Sequence, residues 1–286
     1  KLTTREGIRL ASQEVNDAGG IRDRLTQLVE RDDEARPERG AQIAQELISH
    51  SRVVAGLGIV NTGVALASQR FYQQAHVPMI TAVATGSVIT RQFLPPQYPD
   101  NYIFRASAPD TLQAAMIVEE AITRQRLRRP AIFHDSTNYG QLGREDLERA
   151  LERHGVKPVA IERFNIREVD MTPQLQRARA AGADAILTYG LGPELAHLSN
   201  GMARPGWKVP MVGSWALAMS NFIDSAGPNA EGARMPQTFI QASDGPRRRR
   251  FVETYRQTYG VDRLPVAPAA AQGYDAMLLL AAAIRQ

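Results

Sequence analysis

The sequence predicts an α/β protein with two lobes, in each of which helices flank a doubly wound parallel sheet. Short β-branched apolar runs alternate with segments of helical spacing, and the links between them contain glycine. These runs supply more strands than one such sheet needs, and 286 residues suit two ordinary domains. We assign residues 1–106 and 235–286 to lobe 1, cut at both ends, and residues 107–234 to lobe 2.

The composition fits a globular protein that has no cysteine chemistry. The apolar fraction is 43%, no apolar run is long enough to span a membrane, and no cysteine is present for a disulfide or a thiolate metal site. The net charge of +4 is carried by arginines interspersed with acidic residues. The one dense basic run, Arg247–Arg250, indicates a solvated helix start. Without interleaved aromatic residues it does not favour nucleic-acid binding.

Lobe 1 is organised around Val53–Ser87, which contains two successive strand–turn–helix units. Val53–Ala55 predicts a buried strand that runs into a turn and a helix. Val77–Ile80 predicts the next strand, and a turn of small residues, Ala82–Ser87, follows it. A further helix is predicted to open at Val88 and Ile89.

Hydroxyl side chains mark both of these turns. Parallel strands end at the same edge of a sheet, so the two turns are expected to lie side by side. Small side chains leave the backbone N–H groups of a helix start uncovered, and Thr62, Thr85 and Ser87 add hydroxyls. The pair of turns therefore favours a site for a carboxylate or another anion. For either turn alone, helix capping by the hydroxyl is the alternative.

The other elements of lobe 1 follow from caps and periodicity. Glycines end the first helix, and a proline opens the second. Predicted helices are Gly7–Ala18, 37–48, Arg248–Tyr259 and Ala269–Arg285; predicted strands are Leu25–Val29 and Tyr102–Arg105, with an irregular loop at Phe93–Pro99.

Lobe 2 repeats the alternation of strand and helix. A helix capped by Asp110 precedes it, and an extended return segment, Met235–Ile240, follows it. Predicted strands are Ala131–Phe133, Val156–Phe164, Asp184–Thr188 and Val209–Val212; predicted helices are Gln141–His154, Gln174–Ala181, Pro193–Met202 and Ser220–Ser225.

Motifs for catalysis are missing from the sequence. It contains no GxSxG elbow and no phosphate-binding loop, and Gly56-Leu57-Gly58 lacks the third glycine of a dinucleotide fingerprint. The five histidines are scattered, and Asp32-Asp33 has no other metal ligand nearby, which favours a solvated strand end. We therefore expect no enzyme activity, no metal and no cofactor.

Aromatic residues follow three of the predicted strands of lobe 2. Tyr139, Tyr189 and Trp215 all lie at or after carboxyl ends, where open α/β sheets bind ligands. Each of them alone is equally consistent with packing at the sheet edge. Three at equivalent positions favour a binding cleft for an apolar or flat ligand.

Six segments of the chain resemble one known family, the type I periplasmic binding proteins of branched-chain amino-acid ABC transporters. The resemblance covers nearly the whole chain and keeps the order of its elements. Members of that family bind amino acids, amides, urea and aromatic acids. The segments are Gly7–Ile21, Glu30–Ile48, Gly58–Ala67, Val77–Thr85, Asn101–Asp110 and Asn138–Gly143.

The resemblance implies a set of ligand-binding residues. It places the carboxylate-binding hydroxyl on Thr62 and the second half of the carboxylate site on Thr85 and the backbone of Val83. The acidic residue that pairs with a ligand ammonium falls on Trp215, which has no charge, so an α-amino acid is not expected. The complete predicted site is Asn61, Thr62, Ala82, Val83, Thr85, Tyr139, Tyr189 and Trp215.

The resemblance also implies the function. We expect a monomeric solute receptor in the periplasm, or at the cell surface, of a bacterium. It would close at a hinge around a small carboxylate held between its lobes, an apolar or aromatic acid or an amino-acid-like compound, and deliver it to the membrane permease of an ABC importer. A ligand-sensing domain of the same fold is the alternative.

Overall fold

The computed structural model describes residues 2–242 and 244–286 and divides the chain into two compact units. Unit 1 is Lys1–Ala108 with Thr238–Gln286, and unit 2 is Pro109–Gln237. Each unit has one parallel sheet with helices around it, which confirms the predicted α/β class.

The elements of the described residues follow the predicted order. The strands are β1 (Gly56–Gly58), β2 (Met79–Thr81), β3 (Ile103–Arg105), β4 (Pro130–Asp135), β5 (Ala160–Phe164), β6 (Ala185–Tyr189) and β7 (Met211–Gly213). The helices are α1 (Leu2–Asp17), α2 (Pro37–Ser49), α3 (Thr62–Gln74), α4 (Asp110–Val118), α5 (Asn138–Arg153), α6 (Thr172–Ala180), α7 (Gly192–Ala203), α8 (Ser220–Ala226), α9 (Pro246–Tyr259) and α10 (Ala267–Arg285).

Unit 1 is built on a sheet of three short strands in the order β1-β2-β3. Its first and last helices, α1 and α10, pack closely because glycine replaces a side chain at their contact. A Cβ on Gly7 would lie 2.1 Å from the carbonyl oxygen of Ala270. By length and composition α10 could cross a membrane, but half of it is buried inside the protein, as expected of a core helix.

Unit 2 has a four-stranded sheet in the order β5-β4-β6-β7. Every residue of the two central strands, β4 and β6, is buried. Side chains alternate between the faces, so Phe133 joins one hydrophobic cluster while its neighbour Ile132 joins another. Burial on both faces is typical of a parallel sheet covered by helices on each side.

One predicted strand of unit 1 is displaced. The sequence places it at Val53–Ala55, but the ladder begins at Gly56, which lies opposite Met79 of β2. Val54 is 80% exposed. The apolar run predicts a buried strand, whereas the strand itself is the small-residue segment that follows it.

The predicted strand Leu25–Val29 is wrong, because no strand is assigned between α1 and α2 in the described chain. Thr26 is instead hydrogen-bonded to the side chain of Asn16, with its backbone nitrogen 2.7 Å from Oδ1. A groove of about 1060 Å³ is lined by residues of both this segment and β1. Since this groove lies between Leu25–Val29 and β1, no backbone hydrogen bonds of a sheet join the two segments.

The helix predicted from Val88 and Ile89 is also wrong, because tight turns fill this part of the chain between β2 and β3. The amide of Ile89 donates to Gly86 O, and the amide of Arg91 donates to Val88 O, both three residues back. Two prolines soon after, Pro95 and Pro96, stop any extension into an α-helix.

Candidate ligand site

Thr62 lies at the junction of β1 and α3 in unit 1. It is the first residue of α3, it is 1% exposed, and Asn61 occupies the cap position without a side-chain capping bond. The Thr62 hydroxyl oxygen instead accepts a hydrogen bond from the amide of Gly86, at 3.3 Å. Thr62 is therefore not a helix cap, and its hydroxyl connects the first predicted turn to the second.

Backbone hydrogen bonds also join the two turns. The amide of Ala82 donates to Gly58 O at 2.6 Å, and the amides of Val83 and Ala84 both donate to Ile59 O, at 3.3 and 3.2 Å. The structure thus brings the two turns together, as the strand order requires. The amide of Val83 already has an acceptor, so its predicted bond to a carboxylate would need an exchange of partners.

Ile59 holds this junction in a strained conformation. Its φ is +60°, in the left-handed region that a β-branched residue rarely adopts. Such a residue costs on the order of 1–3 kcal/mol and is found mostly at ligand sites and switch regions. In this chain it turns the Ile59 carbonyl towards two amides of the second turn.

Arg105 and Ser107 fix the second turn through its carbonyl groups. Arg105 Nη1 donates to Thr85 O at 3.2 Å and to Gly86 O at 2.9 Å, and Ser107 Oγ donates to Ala84 O at 3.0 Å. Sequence reasoning missed both residues. The signal was available, since both lie in or just after β3, at the same strand edge as the turns.

The arrangement in unit 1 suits an anion. Thr62 has one hydroxyl proton that its bond with Gly86 does not use, and Thr85, 4% exposed, adds a second hydroxyl in the adjoining turn. Both stand beside the amino end of α3, where the helix dipole favours negative charge.

In unit 2 the structure brings Tyr139 and Tyr189 into contact, with ring centroids 5.3 Å apart. Tyr139 donates to Ser214 Oγ at 2.6 Å, and Tyr189 donates to Asp110 O at 3.4 Å. Burial raises the pKa of both phenols well above the usual value, so they stay protonated donors. Ser214 is a further residue that sequence reasoning did not select, although it directly precedes Trp215.

Trp215 opens a short 3₁₀ helix after β7. Its backbone is held on both sides, because its amide donates to Gln113 Oε1 and its carbonyl accepts from Gln237 Nε2, at 3.2 and 3.3 Å. Its indole nitrogen is buried and has no hydrogen-bond partner among the described residues. A ligand with an acceptor group would satisfy that donor.

Asp135, the carboxylate considered as a replacement for the missing acidic residue, ends β4 and is fully buried. Its Oδ1 accepts from the amide and the hydroxyl of Thr137, at 2.8 and 2.5 Å. Burial raises its pKa, and the nearby carboxylate of Glu194 raises it further. Its Oδ2 is buried without a hydrogen-bond partner among the described residues. Its raised pKa makes Asp135 poorly suited to stay charged for a ligand ammonium.

The acidic pair Asp32-Asp33 caps its own turn. The Oδ1 atoms accept from the amides of Glu34 and Ala35, at 2.9 and 2.7 Å. Across residues 2–242 and 244–286, no group of three or more His, Cys, Asp or Glu side chains is arranged to hold a metal ion.

Comparisons with known proteins give the family. A family model described as periplasmic binding protein matches residues 2–286. A Leu/Ile/Val-binding protein homolog from Brucella suis is 26% identical over 230 residues, which are 79% of this chain and 59% of the relative. The chain thus spans about three fifths of the length of the curated relatives it matches.

Solved structures give the same result for the fold. An ABC transporter substrate-binding protein from Desulfitobacterium hafniense, in complex with Leu, is 26% identical with a TM-score of 0.79; the match covers 99% of this chain and 79% of that one. A solute-binding protein of an ABC transporter from Rhodopseudomonas palustris, in complex with 3,4-dihydroxybenzoic acid, is 22% identical with a TM-score of 0.84, covering 99% and 75%. Since the family model matches from the first turn of α1 to the last residue of the chain, this protein belongs to the periplasmic binding proteins.

Proposed function

We propose that this chain is the solute-binding receptor of an ABC importer and that it binds a small apolar or aromatic carboxylate. The observation that carries the proposal is the pair of turns in unit 1, where the hydroxyl of Thr62 accepts from Gly86 and keeps its own proton for an anion. Binding, and not catalysis, is the function of the named relatives, which supports a non-enzymatic role.

The ligands of two structural relatives support the carboxylate class. One is bound to Leu and another to 3,4-dihydroxybenzoic acid, two compounds that share a carboxylate and differ in the rest of the molecule. We assign the carboxylate of the ligand to Thr62 and Thr85. Tyr139, Tyr189 and Trp215 of unit 2 remain the predicted contacts for the rest of the ligand. Asn61, Ala82 and Val83 remain the predicted lining of the turns in unit 1.

Trp215 carries the proposal for selectivity. A buried α-ammonium without a charged partner costs roughly 3–5 kcal/mol. The indole of Trp215 offers a flat apolar face and one N–H donor, and Asp135 is already hydrogen-bonded to Thr137. We therefore expect a carboxylic acid to bind more tightly than the amino acid with the same side chain.

A calorimetric panel tests the class of ligand. It pairs L-leucine with 4-methylpentanoate and L-phenylalanine with 3-phenylpropanoate, and adds 3,4-dihydroxybenzoate. We expect each acid without an amino group to bind more tightly than its partner. Tight binding of leucine, lost in Asp135→Asn, would instead show that the protein is an amino-acid receptor and that Trp215 does not decide selectivity.

The variant Thr62→Val tests the carboxylate site. Loss of a hydrogen bond to a charged group should weaken the binding of 4-methylpentanoate by about 1.5–3 kcal/mol. Thr123→Val is the matched control, since Thr123 is an exposed residue of unit 2 whose hydroxyl donates to Glu119 Oε2, at 3.0 Å. Equal affinities of Thr62→Val and Thr123→Val would place the carboxylate elsewhere.

Partner and location follow from the same proposal. A receptor of this class works outside the cytoplasmic membrane and presents its ligand to a membrane permease. We propose a periplasmic or cell-surface location on that ground, and a monomer as the working form. Closure at a hinge remains a prediction from the resemblance.

A further inference from the structure

One peptide group in unit 1 is bonded at both of its ends to side chains of the candidate site. The peptide between Thr85 and Gly86 accepts at its carbonyl oxygen from Arg105 Nη1, at 3.2 Å. At its other end the amide of Gly86 donates to Thr62 Oγ1, at 3.3 Å. The three bonded groups form a chain that starts at a guanidinium and ends at a hydroxyl.

All the hydrogen bonds of this chain run in one direction. The guanidinium of an arginine keeps its charge at any ordinary pH and has donors only. It polarises the carbonyl it bonds, which makes the amide at the other end of the same peptide a better donor. The Thr62 oxygen that accepts from this amide becomes in turn a better donor through its own proton.

The geometry leaves little freedom in this chain. Arg105 is the last residue of β3 and lies opposite Thr81 of β2, which fixes its backbone. A Cβ on Gly86 would lie 2.4 Å from Cγ2 of Thr62 and 3.1 Å from its Oγ1. Any side chain at position 86 would push Thr62 away, so a glycine is needed for the amide to reach the hydroxyl.

We propose that Arg105 is a positioning residue for the ligand carboxylate and acts on it through the Thr85–Gly86 peptide and the hydroxyl of Thr62. The inference rests on the proposed function and adds a residue to it. The guanidinium of Arg105 is the positive end of this series of hydrogen bonds. The hydroxyl of Thr62 is its other end and donates to the ligand carboxylate. Arg105 also bonds Gly86 O at 2.9 Å, which keeps the turn in place for this role.

A ligand-free measurement tests the chain itself. The amide proton of Gly86 is followed by NMR in isotope-labelled protein, where a weaker hydrogen bond moves its signal upfield. We expect an upfield shift in Arg105→Met, a smaller one in Arg105→Lys, which keeps the charge, and an upfield shift in Thr62→Val. Ser107→Ala is the matched control, because it removes a neutral donor from the same turn, at Ala84 O.

Calorimetry with 4-methylpentanoate then tests the effect on binding. Arg105→Met should weaken binding about threefold to tenfold in the wild-type background and less than about twofold in Thr62→Val, since coupled residues are not additive. Arg105→Lys should recover part of the loss, and Ser107→Ala, which removes another bond to the same turn, should weaken binding less than Arg105→Met does.

The outcomes separate this proposal from the proposed function. Equal shifts and equal losses in Arg105→Met and Ser107→Ala would mean that Arg105 only holds the turn, and would overturn the inference. If 4-methylpentanoate does not bind the wild type, the proposed ligand class is wrong for this acid. The NMR signal of the Gly86 amide still tests the series of hydrogen bonds in that case. An unchanged signal in Arg105→Met would overturn the inference.

Discussion

The two sheets of this protein are both parallel but differ in the length and burial of their strands. In unit 2, β4 pairs with β5 on one side and β6 on the other, and all of its six residues are buried. In unit 1, β1 pairs only with β2, has three residues, and faces the groove of about 1060 Å³ on its other side. In unit 1, β2 also pairs on both sides but has only three residues, so pairing alone does not account for the long, fully buried strands of unit 2.

The largest effect on stability is expected when one apolar residue is replaced in each sheet. Ile132→Ala in β4 should lower the free energy of unfolding by about 2–5 kcal/mol, because its side chain is fully buried. Leu57→Ala in β1 should cost about 1–2 kcal/mol, because that side chain is already partly in contact with water. Hydrogen exchange read separately for β4 and β1 peptides gives both values. Equal losses would contradict the comparison.

A smaller effect is expected from a glycine of unit 2 that touches the candidate site. A Cβ at Gly143 in α5 would lie 2.1 Å from the ring of Tyr189, and overpacking of this kind costs roughly 1–3 kcal/mol. Gly143→Ala should therefore lower the thermal midpoint and disturb the contact between Tyr189 and Tyr139.

Gly201→Ala is the control for this glycine. It also lies in a helix of unit 2, but its Cβ would meet only the end of the Leu175 side chain, at 2.7 Å, which can rotate away. If both variants lost the same stability, the contact with Tyr189 would not be the cause.

The smallest expected effect is a dependence of stability on pH, which should arise in the sheet of unit 2. Burial, and the positive charges of Arg144 and Arg163, lower the pKa of His134 in β4. The folded state therefore favours the neutral ring. The contribution of His134 to the free energy of unfolding is fully present above pH 6.5, the usual pKa of histidine. It is lost as the pH falls from 6.5 towards the lower pKa of the folded state.

His134→Asn removes this titration and retains a donor for Asp135 O, which lies 3.0 Å from Nδ1 of the ring. Urea unfolding between pH 7 and pH 5 should give a flatter profile for this variant than for the wild type. A profile as steep as that of the wild type would assign the acid sensitivity to another group.

The comparison also shows what could be predicted from the sequence. Caps and prolines are local signals, so α1, which ends before Gly19-Gly20, and α2, which begins at Pro37, were predicted correctly. The four strands of unit 2 were found within a few residues. Three of them, β4, β6 and β7, are buried apolar runs, whereas β5 is a partly exposed edge strand whose start was predicted four residues too early. Leu25–Val29 looks the same in sequence, but a ladder needs a neighbour, which a local pattern does not reveal.

The candidate site shows the same limit. The contact between Tyr139 and Tyr189 and the bond between Thr62 and the second turn follow from strand order, which the alternation of strands and helices predicts. The roles of Arg105, Ser107 and Ser214 depend on side-chain reach across a turn, and single-sequence patterns do not encode it. The helix predicted at Val88 failed because turn residues there bond three positions back.

The packing of α1 against α10 has a consequence for how the chain folds. The hydroxyl of Tyr274 bonds to Glu14, and 260 positions separate the two residues. Unit 2 is one uninterrupted segment, whereas unit 1 combines a segment that precedes unit 2 with one that follows it. During synthesis, unit 2 can therefore finish folding while α1 still exposes its apolar face. Because α10 is made after all of unit 2, the packing of α1 is completed only when α10 has been made.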